Sequence, residues 1–261
     1  MKHFAPKLAA ALSALAVFAA APAGAQAGEL DDIKAAGVIK VATEGTFSPY
    51  TFHNEKDQLV GMDVDFARAL AAKLGVKAQF VETAWDGIIA GLDAKRYDVI
   101  INQVFITPER AAKYDFSVPY VYNYGAAIVR SDNTTIKSFE DIRGKKAAQS
   151  LSSSWNKLAK QYGAEILGVS EMAQSLQLVL SGRADVSLNS EIALADFKRE
   201  HPNAPLKVVA KSSEVYTAAV MMRKGSDDLK AAVDKAIGEL QADGTLKALS
   251  LKYLNVDVTH K

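Results

Sequence analysis

One arginine has the setting of an anion receptor. Arg110 closes the segment Thr107-Pro108-Glu109-Arg110. A threonine at the N-cap, a proline at the first helical position and an acid in the first turn predict a helix start. A guanidinium there, beside free backbone N–H groups, can hold a carboxylate through two parallel hydrogen bonds. Further on, Ser150, Ser152, Ser153 and Ser154 gather just before Trp155. Such a turn can offer hydroxyls and closely approached N–H groups to an anion. Phe47, Tyr50, Phe52 and Trp85 fall in expected loops after strands, where aromatic faces can sandwich an apolar or flat ligand segment. Glu44 follows the first expected strand and can hold a ligand ammonium or amide. Taken singly, each also fits an ordinary role: a surface arginine, an N-cap loop, loop packing, a solvated acid.

Other chemistries lack their parts. The four histidines are His3, His53, His201 and His260, and no pair has metal-ligand spacing. No G-x-S-x-G, Walker A or G-x-G-x-x-G motif is present. The chain has no cysteine, which excludes disulfides, thiolate metal sites, a cysteine nucleophile and a lipid-modified cysteine anchor. Across 261 residues, 31 Lys and Arg balance 30 Asp and Glu, so no positive excess favours nucleic acid. No cofactor and no metal are expected.

The N-terminus reads as an address. Lys2 and Lys7 form a basic head, Leu8–Ala21 is apolar, and Ala25-Gln26-Ala27 is a small-x-small triplet. That pattern predicts a secretory signal over residues 1–27, cleaved after Ala27. The apolar run is short of the ~20 residues a spanning helix needs. A secreted chain that is not membrane-embedded follows, in a bacterial periplasm and without a lipid anchor.

The elements that must position these residues alternate. Val38–Thr43, Val76–Val81, Val99–Ile101, Ala126–Val129, Lys146–Gln149, Glu165–Val169, Val186–Leu188 and Ala218–Met222 read as strands. Met62, Phe66, Leu70 and Leu74 make one helix face, stopped by Gly75. Trp85–Ala94, Trp155–Tyr162, Glu171–Leu180, Glu191–Arg199 and Asp228–Gln241 read as further helices, and Thr245–Tyr253 closes the chain. Alternation of this kind predicts an α/β fold with helices covering mostly parallel sheets. There is an internal echo: Arg96, Asp98, Val99 and Asn102 recur in register as Arg183, Asp185, Val186 and Asn189. Two lobes built alike, each placing a strand end at a shared cleft, would produce it. Ligands of open α/β sheets sit beyond the carboxyl ends of strands. The rule points to Glu44, Gln103–Phe105, Ser150–Ser154 and Asn189–Glu191.

A family resemblance covers the whole chain after the leader. Its residues stand in order: Val41-Ala-Thr-Glu-Gly-Thr-Phe47, Pro49-Tyr-Thr-Phe52, Val60-Gly-Met-Asp-Val-Asp65, Trp85-Asp-Gly87, Asp98, Ile106-Thr-Pro-Glu-Arg110, Asp115-Phe-Ser117, Pro119-Tyr120 and Gly182-Arg-Ala-Asp185. The chain resembles the periplasmic binding proteins for polar amino acids, the extracellular components of ABC importers. Ile89–Arg96, Ile101-Asn-Gln-Val104, Lys113–Ser117 and Asp243–Ser250 are most similar to cystine-binding members.

The resemblance implies a type II periplasmic binding protein fold: two mostly parallel sheets flanked by helices, with a two-strand hinge. Lobe 1 would be residues 28–122 and 219–261, and lobe 2 residues 123–218. The hinges would lie near Tyr120–Tyr124 and Glu214–Ala219. It implies a monomer that binds an amino acid, docks on an inner-membrane ABC permease and catalyses nothing. Arg110 matches the arginine for the ligand α-carboxylate, with Ser152 and Ser153 completing that clamp. Gln103 and Phe105 match positions whose backbone meets the amino-acid head. Phe47 and Trp85 match aromatics flanking the ligand side chain, and Glu44 an acid in the side-chain pocket. Two positions depart from the family. Ser190 replaces an aspartate that binds the α-ammonium, with Glu191 or Asn189 as the nearest substitutes. Leu151 stands in a turn that is usually glycine, where it is expected to narrow the pocket. The alternative the resemblance leaves is a periplasmic dehydratase-like enzyme using Glu44 or Glu191.

Overall fold

A computed structural model of the chain describes Met1, Lys2 and residues 28–261. The signal expected over residues 1–27 therefore lies, but for its first two residues, outside the described residues.

The chain begins with α1 (Glu29–Ala36), β1 (Val38–Thr43) and a small ribbon of β2 (Thr46–Phe47), β3 (Thr51–His53) and β4 (Leu59–Val60). Then follow α2 (Met62–Leu74), β5 (Lys77–Glu82), α3 (Trp85–Asp93), β6 (Val99–Ile100), α4 (Pro108–Ala111) and β7 (Tyr114–Phe116). The long strand β8 (Val121–Arg130) leads to β9 (Lys146–Gln149), α5 (Ser154–Gln161), β10 (Glu165–Gly168), α6 (Met172–Leu180), β11 (Ser187–Asn189) and α7 (Glu191–Glu200). A second long strand, β12 (Leu206–Ala218), returns to β13 (Met221–Arg223), α8 (Asp227–Ala242) and α9 (Thr245–Leu254).

Two sheets share one plan. The first has the order β5-β1-β6-β13-β7, and β13 alone runs against the other four. In the second, β11-β8-β12 is extended by β9-β10 through a parallel bridge between Ala147 and Val186. There β8 is the one reversed strand. The repeated aspartates do the same work in each. Asp98 accepts the backbone N–H of Lys40 at 2.7 Å, and Asp185 that of Lys146 at 2.8 Å. Each carboxylate thus ties its strand entry to the neighbouring strand. The echo in the sequence is an echo in the fold.

Helices cover both sheets. The apolar face of α2 is buried at Met62, Phe66, Leu70 and Leu74, and Phe66 stacks on Tyr120 with ring centroids 4.3 Å apart. Burying side chains of this size contributes roughly 1.5–3 kcal/mol each. Gly75 ends the helix with φ 78°, a left-handed conformation that suits glycine. At the other end Gly61 has φ 129°, and a Cβ there would lie 2.2 Å from the Tyr50 carbonyl oxygen, so only glycine fits. One apolar cluster, with Ile88, Leu92 and Tyr97, lies between the first sheet and α3. Another, with Leu176, Val179 and Phe197, lies between the second sheet and α6 and α7.

Two findings depart from the sequence reading. The expected strand Ala218–Met222 is split. Ala219 N–H goes to the Val104 carbonyl at 3.1 Å and Val220 N–H to Ser117 Oγ at 3.0 Å, so the chain passes between two strands there. And β12, over Leu206–Ala218, is not among the strands expected from the sequence. Lys207, Lys211, Ser212, Ser213 and Glu214 break the alternation, but the ladder to β8 carries the strand through. Val215–Ala218 pairs with Tyr124–Val121, beyond a register shift between Lys211 and Val215.

Candidate functional site

A cleft of about 700 Å³, partly open to solvent, lies between the two sheets. Its lining comes from strand ends and helix starts of both. The first sheet contributes Glu44 after β1, Asn102, Gln103 and Phe105 after β6 and Arg110 in α4. The second contributes Gln149 at the end of β9, Ser150, Ser153 and Ser154 in the turn beyond it, and Asn189-Ser190 at the end of β11. The carboxyl-end rule therefore locates the cleft on both sides.

Arg110 is the lining cation. Thr107 Oγ1 accepts its backbone N–H at 3.3 Å, the expected N-cap, though the helix is one turn long. Its Nη1 donates to the Phe105 carbonyl at 3.0 Å and to Ser154 Oγ at 3.3 Å, and Nη2 to the Ser152 carbonyl at 3.2 Å. The guanidinium also lies 5.6 Å from the Trp85 ring centroid. Neutral oxygens orient it, and no carboxylate among the described residues pairs with it. Burial lowers its pKa below the usual arginine value. Beside it starts α5. Ser153 caps that helix by accepting the Asn156 N–H at 3.0 Å, and the other first-turn N–H groups have no partner within the helix. A bound anion would meet a guanidinium, a hydroxyl and a helix N-terminus together.

Glu44 is the lining acid. Asn102 grips it from two sides: its Nδ2 donates to Glu44 Oε2 at 2.6 Å, and its Oδ1 accepts the Glu44 N–H at 2.8 Å. Burial is the main force on the carboxyl and pushes its pKa from 4.5 to about 7, with the Glu171 and Asp86 charges adding to the rise against the Asn102 hydrogen bond. Aromatic side chains line the same cleft. Phe47 packs on Tyr50 at 5.0 Å, and Phe105 meets Trp155 edge to face at 5.1 Å.

Of the residues expected at the site, Glu44, Phe47, Trp85, Gln103, Phe105, Arg110, Ser153 and Ser190 line the cleft. Three lie outside the lining. Phe52 pairs with Thr46 and Val60 in the small ribbon. Ser152 sits on the rim, with its N–H and hydroxyl bound to Asp86. Glu191 turns outward to an ion pair with Lys211 at 2.6 Å. Gln103 presents less backbone than expected. Its N–H is bound to buried Asp63 at 2.8 Å, as is its side-chain amide, and this holds its φ of 51°. Ser190 caps α7 by accepting the Ala193 N–H at 3.2 Å, and Asn189 Oδ1 accepts the Ser190 N–H at 2.8 Å. Leu151 does not narrow the cleft: it is 60% exposed and leans over Gly168, where a Cβ would come within 3.2 Å of it.

The sequence reading missed Asn102, Asn123, Gln149, Met172 and Ser175. Asn102 had a signal, since it is the last residue of the first echo segment and so falls at a strand end. Asn123 donates to the Tyr50 hydroxyl at 3.3 Å, a contact between distant segments that no local pattern marks.

Residues 39–256 match the model of the bacterial extracellular solute-binding proteins, family 3. The chain belongs to this family. It is 43% identical over 234 residues to a probable amino-acid ABC transporter-binding protein of Haemophilus influenzae, covering 89% of this chain and 91% of that one. It is 41% identical over 228 residues to the L-cystine-binding protein TcyA of Bacillus subtilis, covering 87% and 85%. Among solved structures, an ancestral arginine-binding protein bound to arginine superposes with a TM-score of 0.78 at 35% identity, covering 83% of this chain and 98% of that structure. The L-cystine solute receptor of Neisseria gonorrhoeae, unliganded and open, superposes with a TM-score of 0.63 at 40% identity, covering 90% and 100%. The ancestral amino acid-binding protein AncCDT-1, a precursor of cyclohexadienyl dehydratase, gives 0.79 at 34% identity, covering 86% and 99%. The more similar sequence gives the poorer superposition, as a different setting of the two sheets would produce. Arg110 and Asp86 reach across the cleft to Ser152 and Ser154.

Proposed function

We propose that this protein captures a polar L-amino acid in the periplasm, with L-cystine the leading candidate, and delivers it to an inner-membrane ABC permease. One observation carries the reading. Arg110, oriented by three neutral oxygens and with no acid partner among the described residues, faces the start of α5 across the cleft. That arrangement suits the α-carboxylate of an amino acid. Glu44, in the same cleft, suits a cationic or polar group elsewhere on the ligand. Similarity to TcyA and to the gonococcal receptor favours cystine.

Residues 28–122 with 219–261 form one lobe and 123–218 the other, with β8 and β12 crossing between them. An open form captures the ligand on the first lobe. Closure of the second adds the Ser153–Ser154 contacts, so the ligand shifts the balance by its preference for the closed state. The protein acts as a monomer and as a carrier, not an enzyme. One observation favours a second reading: a cleft carboxyl with a pKa of about 7 is poised for general acid work.

The test is a thermal-shift panel on protein unfolded and refolded to strip ligand. L-cystine, arginine, glutamine, the other common L-amino acids and prephenate-like acids are added in turn. A ligand at 100 times its Kd stabilises by ~2.7 kcal/mol. For a chain of this size that is a shift of roughly 5–10 °C. A shift with cystine alone supports the narrow reading. A shift with another amino acid keeps the carrier and discards cystine. No shift with any amino acid, together with turnover of a prephenate-like acid, overturns the carrier in favour of the enzyme.

A further inference from the structure

Resting on the carrier reading, the rim of the cleft holds a device that lies outside the cleft lining. Asp86 stands in the first turn of α3, exposed and outside the cleft lining. Its Oδ1 accepts the Ser152 N–H at 3.2 Å and the Ser152 hydroxyl at 2.5 Å. Ser152 lies in the turn between β9 and α5, so both bonds cross from the first lobe to the second. The Ser152 carbonyl in turn accepts Arg110 Nη2 at 3.2 Å. Every polar group of Ser152 is thus held by the first lobe. A third tie, the ion pair between Glu109 and Lys157, lies nearby. It joins two exposed, flexible side chains, and pairs of that kind contribute little. The Asp86 bonds differ: one short side chain grips both the backbone and the side chain of a turn residue, and the acceptor is charged.

We propose that Asp86 is a closure latch, a positioning residue that sets how long the cleft stays shut by holding Ser152. Release of ligand requires opening, and opening breaks these bonds. Capture begins from the open form, in which they do not exist. The latch therefore acts on the dissociation rate and acts alike on every ligand that permits closure.

The experiment uses the full mature chain. Asp86→Ala, Asp86→Asn and Ser152→Ala are compared with the parent by stopped-flow binding of L-cystine and of every other amino acid that binds. In parallel, spin labels at Glu55→Cys and Gln177→Cys, introduced into the cysteine-free chain, report the distance between the lobes. Asp86→Ala should raise the dissociation rate about tenfold for all ligands and leave association within about threefold. It should also reduce the closed fraction at subsaturating ligand. Ser152→Ala, which keeps the backbone bond, and Asp86→Asn, which keeps an acceptor, should fall between. A purely structural role would move the unliganded thermal midpoint instead. Dissociation unchanged within about twofold, or a rise confined to one ligand, overturns the latch. If the parent binds no amino acid, the carrier reading fails separately and the distances decide. A smaller closed fraction in unliganded Asp86→Ala then supports the latch, and an identical distribution overturns it.

Discussion

Replacing Glu44 by Gln should make the unliganded protein more stable at high pH and leave it unchanged at low pH. The carboxyl is raised from 4.5 to about 7, chiefly by burial. Between those values the folded protein keeps a proton that the unfolded chain has released. Stability therefore falls as pH rises through this window. At 1.36 kcal/mol per unit the ionised form costs about 3 kcal/mol above pH 7, a ceiling because one side of Glu44 meets solvent. Glutamine keeps an acceptor for Asn102 and never ionises. The gap in melting temperature between variant and parent should be near zero below pH 4.5, open through pH 5–7, and level off at up to about 10 °C. Asp63, also raised to about 7 by burial, is present in both proteins and cancels in the difference. The assay is a thermal scan of both proteins every half unit from pH 4 to 9. A difference that is constant across that range, or one that opens at about 4.5, would refute the argument. If cystine places an ammonium at Glu44, saturating cystine should stabilise the parent most above pH 7.

Arg110→Ala should weaken ligand binding by roughly 30-fold or more, since a buried charge pair typically costs 2–5 kcal/mol when one partner is removed. Arg110→Lys should not restore it, because a single ammonium cannot reproduce the planar fork; calorimetric titration reads both. Gly61→Ala should destabilise the fold by several kcal/mol in a denaturant titration, since its φ of 129° and the Tyr50 carbonyl at 2.2 Å from an added Cβ leave no relaxed solution. Asp98→Ala and Asp185→Ala should cost similar amounts, about 1–2 kcal/mol each, because each removes the same charged acceptor from a strand N–H. A large effect at one with none at the other would break the structural equivalence of the two sheets.

Much of this was legible because the carriers of the fold are local and repetitive. β1, β9 and the apolar face of α2 are each marked by their own residues, and Gly75 ends its helix by its own conformation. The echo of Asp98 and Asp185 could be read because it is a spacing, and a spacing survives without a structure. Long-range devices could not be read. Nothing near Lys211–Glu214 says that this polar stretch continues a strand, since the partner that makes it one lies some 90 residues earlier in β8. Leu151 illustrates the same limit at the site. Its size was visible, but not its direction, which the turn around Ser150–Ser154 sets. Glu191 sits one residue from Ser190 yet faces Lys211, because successive positions on a helix point about 100° apart.

On the proposed division into lobes, the pairing of β8 with β12 gives the protein a single seam between two pieces. Val121 lies opposite Ala218, and Tyr122 opposite Thr217, as direct neighbours in the ladder. A cut in each strand at these positions therefore falls at one place in space. Residues 123–218 could be exchanged for those of a relative through that one junction. The incoming half would bring its own serine turn and α7 start to the native Arg110 and Glu44. Ligand choice could then be recombined by halves.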